Sequence, residues 1–362
     1  MILRLVATGL LFGSLVTASP TLGDTVRIAT YNVELIRDGP GLLLRDIRSG
    51  QNAQILAVSE VIDRTRPDVL ALQGIDYDFG LEALNAFNDQ LAAPFEYALA
   101  LPTNRGLRTG TDADGNGRSG DAADAQGFGT FYGQGAMALL SRYPIDTKAV
   151  QDFTQMLWVD MPGTELPRHP DGSVFPSDAV IQTQRLSSSG HWIIPIRVSE
   201  EVVLSVMTFH ASPPVFDGPE DRNGLRNAAE ISLWTAVLEG ELGTPLTGSF
   251  VIAGSATLDP HDSDGRNQVI RDLLGDPRLQ DPAPESDGAA FAEDQGHTGP
   301  NALDTVEWEG VGRLRADYVL PSADLTVERA GTFWPSAKQE GHSAALRASR
   351  HRLVWADIWF AD

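Results

Sequence analysis

Two hydrophobic periods alternate along this chain. Residues 25–33 are apolar and β-branched and read as a strand. Ile55, Val58, Val61 and Ile62 recur at helical spacing within 54–64. A short buried strand follows Pro67 at 68–73, then a helix at 81–91 and strands at 135–141 and 192–198. Residues 202–210 are nearly all apolar, the pattern of a central strand covered on both faces. A helix carrying Ile231, Leu233, Trp234 and Leu238 lies within 220–239, a strand at 250–254 and a helix at 266–274. Strands at 313–320, 325–329 and 353–359 close the series. Periodicity therefore gives an α/β or α+β chain without repeats. The Gly/Asp-rich stretches 105–129, 160–178, 212–227 and 282–301 are long for loops of a compact domain, and loops of that length are often functional.

The first 23 residues read differently. Arg4 precedes an apolar run over 5–18, and small or turn residues follow at once, with cleavage points after Ala18 or Gly23. This is the form of a secretory signal, and the run is too short for a comfortable membrane span. The expectation is an exported protein, periplasmic or extracellular, with 24–362 as a single domain and no span in the mature chain.

Composition narrows the chemistry. There is no cysteine, hence no disulfide and no thiolate chemistry. The formal charge of -22 disfavours a surface that tracks polynucleotide phosphates, because such surfaces carry a basic stripe.

Four segments, in order, carry candidate chemistry: Thr30-Tyr31-Asn32-Val33-Glu34, Phe209-His210-Ala211-Ser212-Pro213, Ala316-Asp317-Tyr318-Val319-Leu320 and Ser349-Arg350-His351. Together, over about residues 25–360, they resemble the endonuclease/exonuclease/phosphatase superfamily, the deoxyribonuclease-like fold. The resemblance implies two packed mixed β-sheets flanked by helices, a four-layer α/β/β/α sandwich. It also implies phosphoester hydrolysis by in-line attack of water. Asn32 would position the phosphate, His210 and His351 would handle protons, and Asp317 would orient the terminal histidine.

The same resemblance exposes departures. Gly74 stands where the family has a metal-binding Glu after Leu-Gln. Ser255 and Thr257 replace the Asp and Asn of Gly-Asp-x-Asn, and Arg350 replaces the Asp of Ser-Asp-His. Mg²⁺ or Mn²⁺ at the usual position would be weakened, since such ions take hard oxygen ligands that include carboxylates. Asp76 and Asp78 could reach the vacated space, Arg222 and Asn223 could hold phosphate, and Arg350 could meet a phosphate bidentately.

A separate run, Asp112-Ala113-Asp114-Gly115-Asn116-Gly117, has the spacing of a calcium loop, with Asp124 close behind. Ala123 stands where an EF-hand would want an acid, so a structural Ca²⁺ there competes with a plain Asp/Gly turn. His191 reads as a core or edge residue.

Two readings result. One is an exported metal-dependent phosphoesterase acting on small phosphoesters or phosphodiesters. The other is a catalytically degenerate relative serving as a Ca²⁺-supported binding protein outside the cytoplasm.

Overall fold

A computed structural model of the protein describes residues 25–291 and 294–360; the expected signal segment lies outside them. Thirteen strands occur among the described residues: β1 (Val26–Leu35), β2 (Val69–Ile75), β3 (Tyr97–Leu99), β4 (Ala136–Ser141), β5 (Gln151–Asp152), β6 (His191–Arg197), β7 (Val203–Phe209), β8 (Phe250–Ser255), β9 (Val306–Trp308), β10 (Gly312–Leu314), β11 (Asp317–Pro321), β12 (Thr326–Thr332) and β13 (Val354–Trp359). One sheet has the order β12-β13-β1-β2-β4-β3, the other β11-β8-β7-β6-β5, and β9-β10 is a separate hairpin.

Both sheets are mixed. Among the paired strands only β1–β2 and β7–β8 run parallel. Parallel neighbours need a crossover, which helices supply. Helices Leu42–Ser49 and Ala53–Thr65 connect β1 to β2, and helix Arg222–Leu238 connects β7 to β8. Helix Ala53–Thr65 starts at Asn52, whose side chain accepts from the amides of Gln54 and Ile55 at 3.1 Å. It ends at Arg66, left-handed and followed by Pro67, the usual way to stop a helix.

Strand alternation builds the layers. In β1, Val26 and Ile28 face the other sheet, while Ala29, Tyr31 and Val33 face helices. Val69, Ala71 and Leu139 of the first sheet meet Ile194, Val206, Val251 and Val319 of the second. Outside, Val58, Val61 and Ile62 cover Leu70 and Leu72, and Leu233 and Trp234 cover Phe209 and Ile252. The result is the four-layer α/β/β/α sandwich that the resemblance implied. No helix of the described residues is long and apolar enough to cross a membrane.

Some expectations shift. The single strand expected over 313–320 divides at Arg315 and Ala316. The Arg315 amide turns to the Asp259 carboxylate at 2.7 Å and the Ala316 amide to Thr305 Oγ1 at 3.0 Å, so neither continues a ladder. Arg222 and Asn223, expected in a loop, form the first turn of helix Arg222–Leu238.

That helix carries a buried polar face as well as its apolar one. Asn227 donates to the carbonyls of Ser212 (2.7 Å) and Ala256 (2.8 Å), the residues that leave β7 and β8. Arg226 donates to the carbonyls of Leu186, Gln126 and Arg185. Glu230, fully buried, accepts from the amides of Ser188 and Ser212 and from Ser212 Oγ, the last two at 2.7 Å. Four loops that lead into one end of the sandwich, those holding Gln126, residues 185–188, Ser212 and Ala256, are thus anchored to one helix. Removing the acceptor strands buried donors, so Glu230→Ala should lose about 3–5 kcal/mol in urea unfolding. A loss below about 1 kcal/mol would mean that these bonds do not brace the loops.

Candidate active site

The ends of β1, β7, β8 and β11 meet at the braced end of the sandwich. Asp317 opens β11 and is fully buried. Its Oδ2 accepts from Thr305 Oγ1 at 2.9 Å and lies 2.7 Å from His351 Nδ1. His351 Nε2 lies 3.3 Å from Asn32 Nδ2. The Asn32 amide donates to Nε2, so the histidine carries its proton on Nδ1 and gives it to Asp317. The imidazole is therefore held with a basic nitrogen beside an amide donor. Ser349 fixes the same turn, donating to the Asn32 carbonyl at 2.8 Å and accepting from the His351 amide at 3.1 Å. Trp308 packs edge-on against the His351 ring, with centroids 5.5 Å apart.

His210 lies at the end of β7 and bridges in parallel register to Ser255, which is itself paired with Asp317. It is half-buried, but its Nδ1 is enclosed and has no partner among the described residues. The same holds for Ser255 Oγ and Asp317 Oδ1. Burial, then the charges of Arg105 and His351, push the His210 pKa well below its ordinary value. At neutral pH it is an uncharged imidazole.

Arg105 was not singled out by sequence. Its Nε donates to the Gln134 carbonyl at 3.1 Å, and its Nη2 lies along Gly135, where a Cβ would sit 3.3 Å from it. Burial lowers its pKa to about 10, against the favourable charges of Glu230 and Asp76, so it remains a cation. The charge of this guanidinium reaches His210 and makes this end of an acidic protein locally positive.

The other expected residues are placed elsewhere or otherwise engaged. Asp76 accepts from the amides of Gly135 (2.9 Å) and Arg37 (3.1 Å), and burial raises its pKa to about 6. Asp78 caps helix Glu82–Asn88, accepting from the amides of Glu82 (2.8 Å) and Ala83 (2.9 Å). Arg222 reaches Gln184 at 3.4 Å, and Asn223 binds the Val215 carbonyl at 2.8 Å. None of these four bonds to Asn32, His210, Asp317 or His351.

Arg350 is committed to a partner that sequence reasoning quoted without a role. Its Nε donates to Glu34 Oε1 at 2.9 Å and its amide to Glu34 Oε2 at 2.8 Å. Burial alone would raise the Glu34 pKa; the bonds and charge of Arg350, with the charge of His351, lower it overall. Beside it, Gly74 has φ of 69°, and a Cβ there would lie 2.5 Å from Asn32 Oδ1. A Glu at this position would strain the backbone and press its Cβ against Asn32 Oδ1. With Ser255 in place of an acid and Glu34 neutralised, these residues do not fit the family's usual catalytic cation.

The calcium-like loop closes on itself. One ligand atom each from Asp112, Asp114 and Asp124 lies within 4.8 Å of the others, compatible with one Ca²⁺ at about 2.3–2.6 Å. Asn116 joins them, its Nδ2 3.0 Å from Asp114 Oδ2. Asp124 accepts from the Ala113 amide at 2.8 Å and the Gly120 amide at 2.6 Å, which ties the loop's end to its start. Arg222 feels the charges of Asp114 and Asp124, so it belongs to this loop's surroundings. His191 is fully buried between Ser187 Oγ (2.7 Å) and the Glu230 carbonyl (2.9 Å), with a pKa lowered to about 3 by burial, and is a structural residue.

The Arg105–His210 relation has a direct readout. Arg105→Ala removes a cation from beside the ring and admits water, and both changes raise the His210 pKa. Histidine ring NMR across pH should show His210 titrating at higher pH in the variant. An unchanged titration would mean that the two groups do not sense each other.

The sequence model of the Endonuclease/Exonuclease/phosphatase family matches residues 29–351. No curated protein matches the chain. Among solved structures, an endonuclease/exonuclease/phosphatase from Beutenbergia cavernae is 14% identical, with TM-score 0.52, over 93% of this chain and 72% of that one. The human Nocturnin catalytic domain with bound sulfate is 13% identical, with TM-score 0.49, over 93% and 94%. Sphingomyelinase C from Streptomyces griseocarneus is 16% identical, with TM-score 0.47, over 92% and 99%. Members of the family hydrolyse phosphoester bonds and are generally dependent on divalent cations. Four ordered motifs, the layered fold and a match over nearly the whole chain lead to one conclusion: the chain belongs to the Endonuclease/Exonuclease/phosphatase family.

Proposed function

We propose that this protein is an exported hydrolase of small phosphoesters or phosphodiesters. The observation that carries the reading is the Asp317–His351–Asn32 relay, which presents a basic imidazole nitrogen beside an amide donor. A phosphate seated there meets Asn32 Nδ2 and the Arg105 cation. His351 Nε2 accepts a proton from the attacking water as the new O–P bond forms. The opposite P–O bond breaks, and the leaving oxygen takes its proton from solvent. Asp317 keeps the proton on Nδ1 and stabilises the imidazolium that results. His210, uncharged, serves as a hydrogen-bond donor to a phosphoryl oxygen rather than as an acid in the free protein. The charge of -22 favours small substrates over polynucleotides. The signal-like segment at 1–23 supports export.

The Glu34–Arg350 pair favours a second reading, a phosphoester-binding protein without turnover, because it pairs off the charge of the carboxylate that bonds Ser349 beside Asn32. Hydrolysis of bis-p-nitrophenyl phosphate and p-nitrophenyl phosphate, with EDTA, Mg²⁺, Mn²⁺ and Ca²⁺ compared, separates the two. We expect turnover that falls about 10²–10⁴-fold in His351→Ala and in Asp317→Asn. Absence of turnover in folded protein under every condition selects the binding reading.

The loop of Asp112, Asp114, Asn116 and Asp124 is proposed as a structural Ca²⁺ site. Saturating Ca²⁺ at about 100 times its dissociation constant adds about 2.7 kcal/mol to stability. The melting temperature should rise with Ca²⁺ in the wild type and not in Asp124→Asn. Equal melting with Ca²⁺ and with EDTA would remove this site from the account.

A further inference from the structure

A cavity of about 250 Å³, lined by none of the relay residues, lies between the loop after β8, helix Gln268–Leu274 and residues 299–304. Its walls combine apolar surface from Leu274, Leu303 and Pro260 with several charged groups. Almost all of those charges are already engaged. Asp281 and Arg315 form a two-bond ion pair at 2.6 and 2.7 Å. Asp259 spends its oxygens on the amides of His261, Asp262 and Arg315, at 2.6, 2.8 and 2.7 Å. Arg271 donates to the Pro260 carbonyl and to Gln268.

Asp304 is the exception. It is 6% exposed, lines the cavity, and its Oδ2 has no hydrogen-bond partner. Its backbone is extended, so successive side chains point to opposite sides. Thr305 turns its hydroxyl to Asp317, and Asp304 turns its carboxyl the other way, into the cavity. An unpartnered buried carboxylate is costly, and no protein donor offsets it here.

We infer that this cavity binds a small organic ammonium, with Asp304 accepting the N–H donors and Leu274 and Leu303 covering the carbon body. The size suits a short molecule, since pockets for drug-sized ligands start at about 300 Å³. A metal ion fits poorly. Among the described residues, acidic groups converge on the scale of one ion only at Asp112, Asp114 and Asp124. The field has the right sign for a cation. Burial first, then the charges of Asp259, Asp294 and Asp262, raise the Asp304 pKa to about 7, with Arg313 opposing.

Calorimetric titration of the full mature chain at pH 8 with n-butylammonium tests the inference. Tetramethylammonium, which has no N–H, and n-butanol, which has no charge, serve as comparison ligands. Saturable binding of n-butylammonium is expected, at least tenfold weaker in Asp304→Asn and at least tenfold weaker for either comparison ligand. Absence of saturable binding, unchanged binding in Asp304→Asn, or equal binding of n-butanol would each overturn it. The variant should fold. The folded pKa of Asp304 is raised from 3.8 to about 7, so stability is lost as pH rises between those values and the full cost stands at pH 8, where asparagine removes it. Asp304→Asn should therefore melt no lower than wild type at pH 8. Because the readout is binding without turnover, its failure is distinct from failure of the phosphoesterase reading.

Discussion

One hydrogen bond ties the two sheets together at the candidate site. Asp317 opens an edge strand of the five-stranded sheet, and His351 precedes a central strand of the six-stranded sheet by three residues. Their bond at 2.7 Å crosses the seam. A carboxylate buried there without donors would oppose folding by several kcal/mol. Thr305 and His351 supply the donors, and the backbone holds both in place. The Arg352 amide bonds to the Thr305 carbonyl at 2.7 Å, and the Thr305 amide to the Leu314 carbonyl at 2.9 Å. The relay is thus mounted on paired backbone rather than on free loops, which keeps the imidazole in one tautomer and one orientation.

The fold was readable because its layers obey simple periods. Strand 202–210 is apolar on both sides because it lies between a helix layer and the facing sheet, and helix 54–64 shows one stripe because it has one covered face. Helices Leu42–Ser49 and His342–Ala348 escaped that reading. Each is short and follows a glycine in the left-handed conformation, Gly41 or Gly341, rather than a capping Ser, Thr or Asp. Of the site, Asn32, Asp317 and His351 were legible through motif order, and the structure brings them within hydrogen-bonding reach of one another.

Arg105, Glu34, Thr305 and Glu230 were not legible as site or bracing residues, and for one physical reason. Each acts through a partner distant in sequence: Arg105 beside His210, Glu34 with Arg350, Thr305 with Asp317, and Glu230 with Ser188 and Ser212. A charged or hydroxyl residue in a loop or on a helix carries no period that reports such a partner. Asp76 and Asp78 show the converse. They have the right chemistry at the right distance along the chain, but backbone amides satisfy both, which a list of acids cannot reveal.

The altered metal position is better understood as an exchange of charges than as a loss. Gly74, at φ of 69° and in contact range of Asn32, closes the space an acid would use. Glu34, itself at φ of 48°, supplies a carboxylate from the neighbouring strand instead. Arg350 then provides the cation that an acid needs when half-buried. A guanidinium is permanent, tethered and singly charged, and with Glu34 it sums to zero. It can hold the Asn32–His351 turn in shape, but it cannot polarise a phosphoryl oxygen as a divalent ion does. On the proposed reading, electrostatic attraction of phosphate falls to Arg105, whose pKa burial has lowered yet not enough to discharge it. Burial first, and then the charge of the same arginine, keep His210 neutral in the free protein. On the same reading, a bound anion would offset the Arg105 charge that His210 senses, which links phosphate recognition to this histidine through one guanidinium.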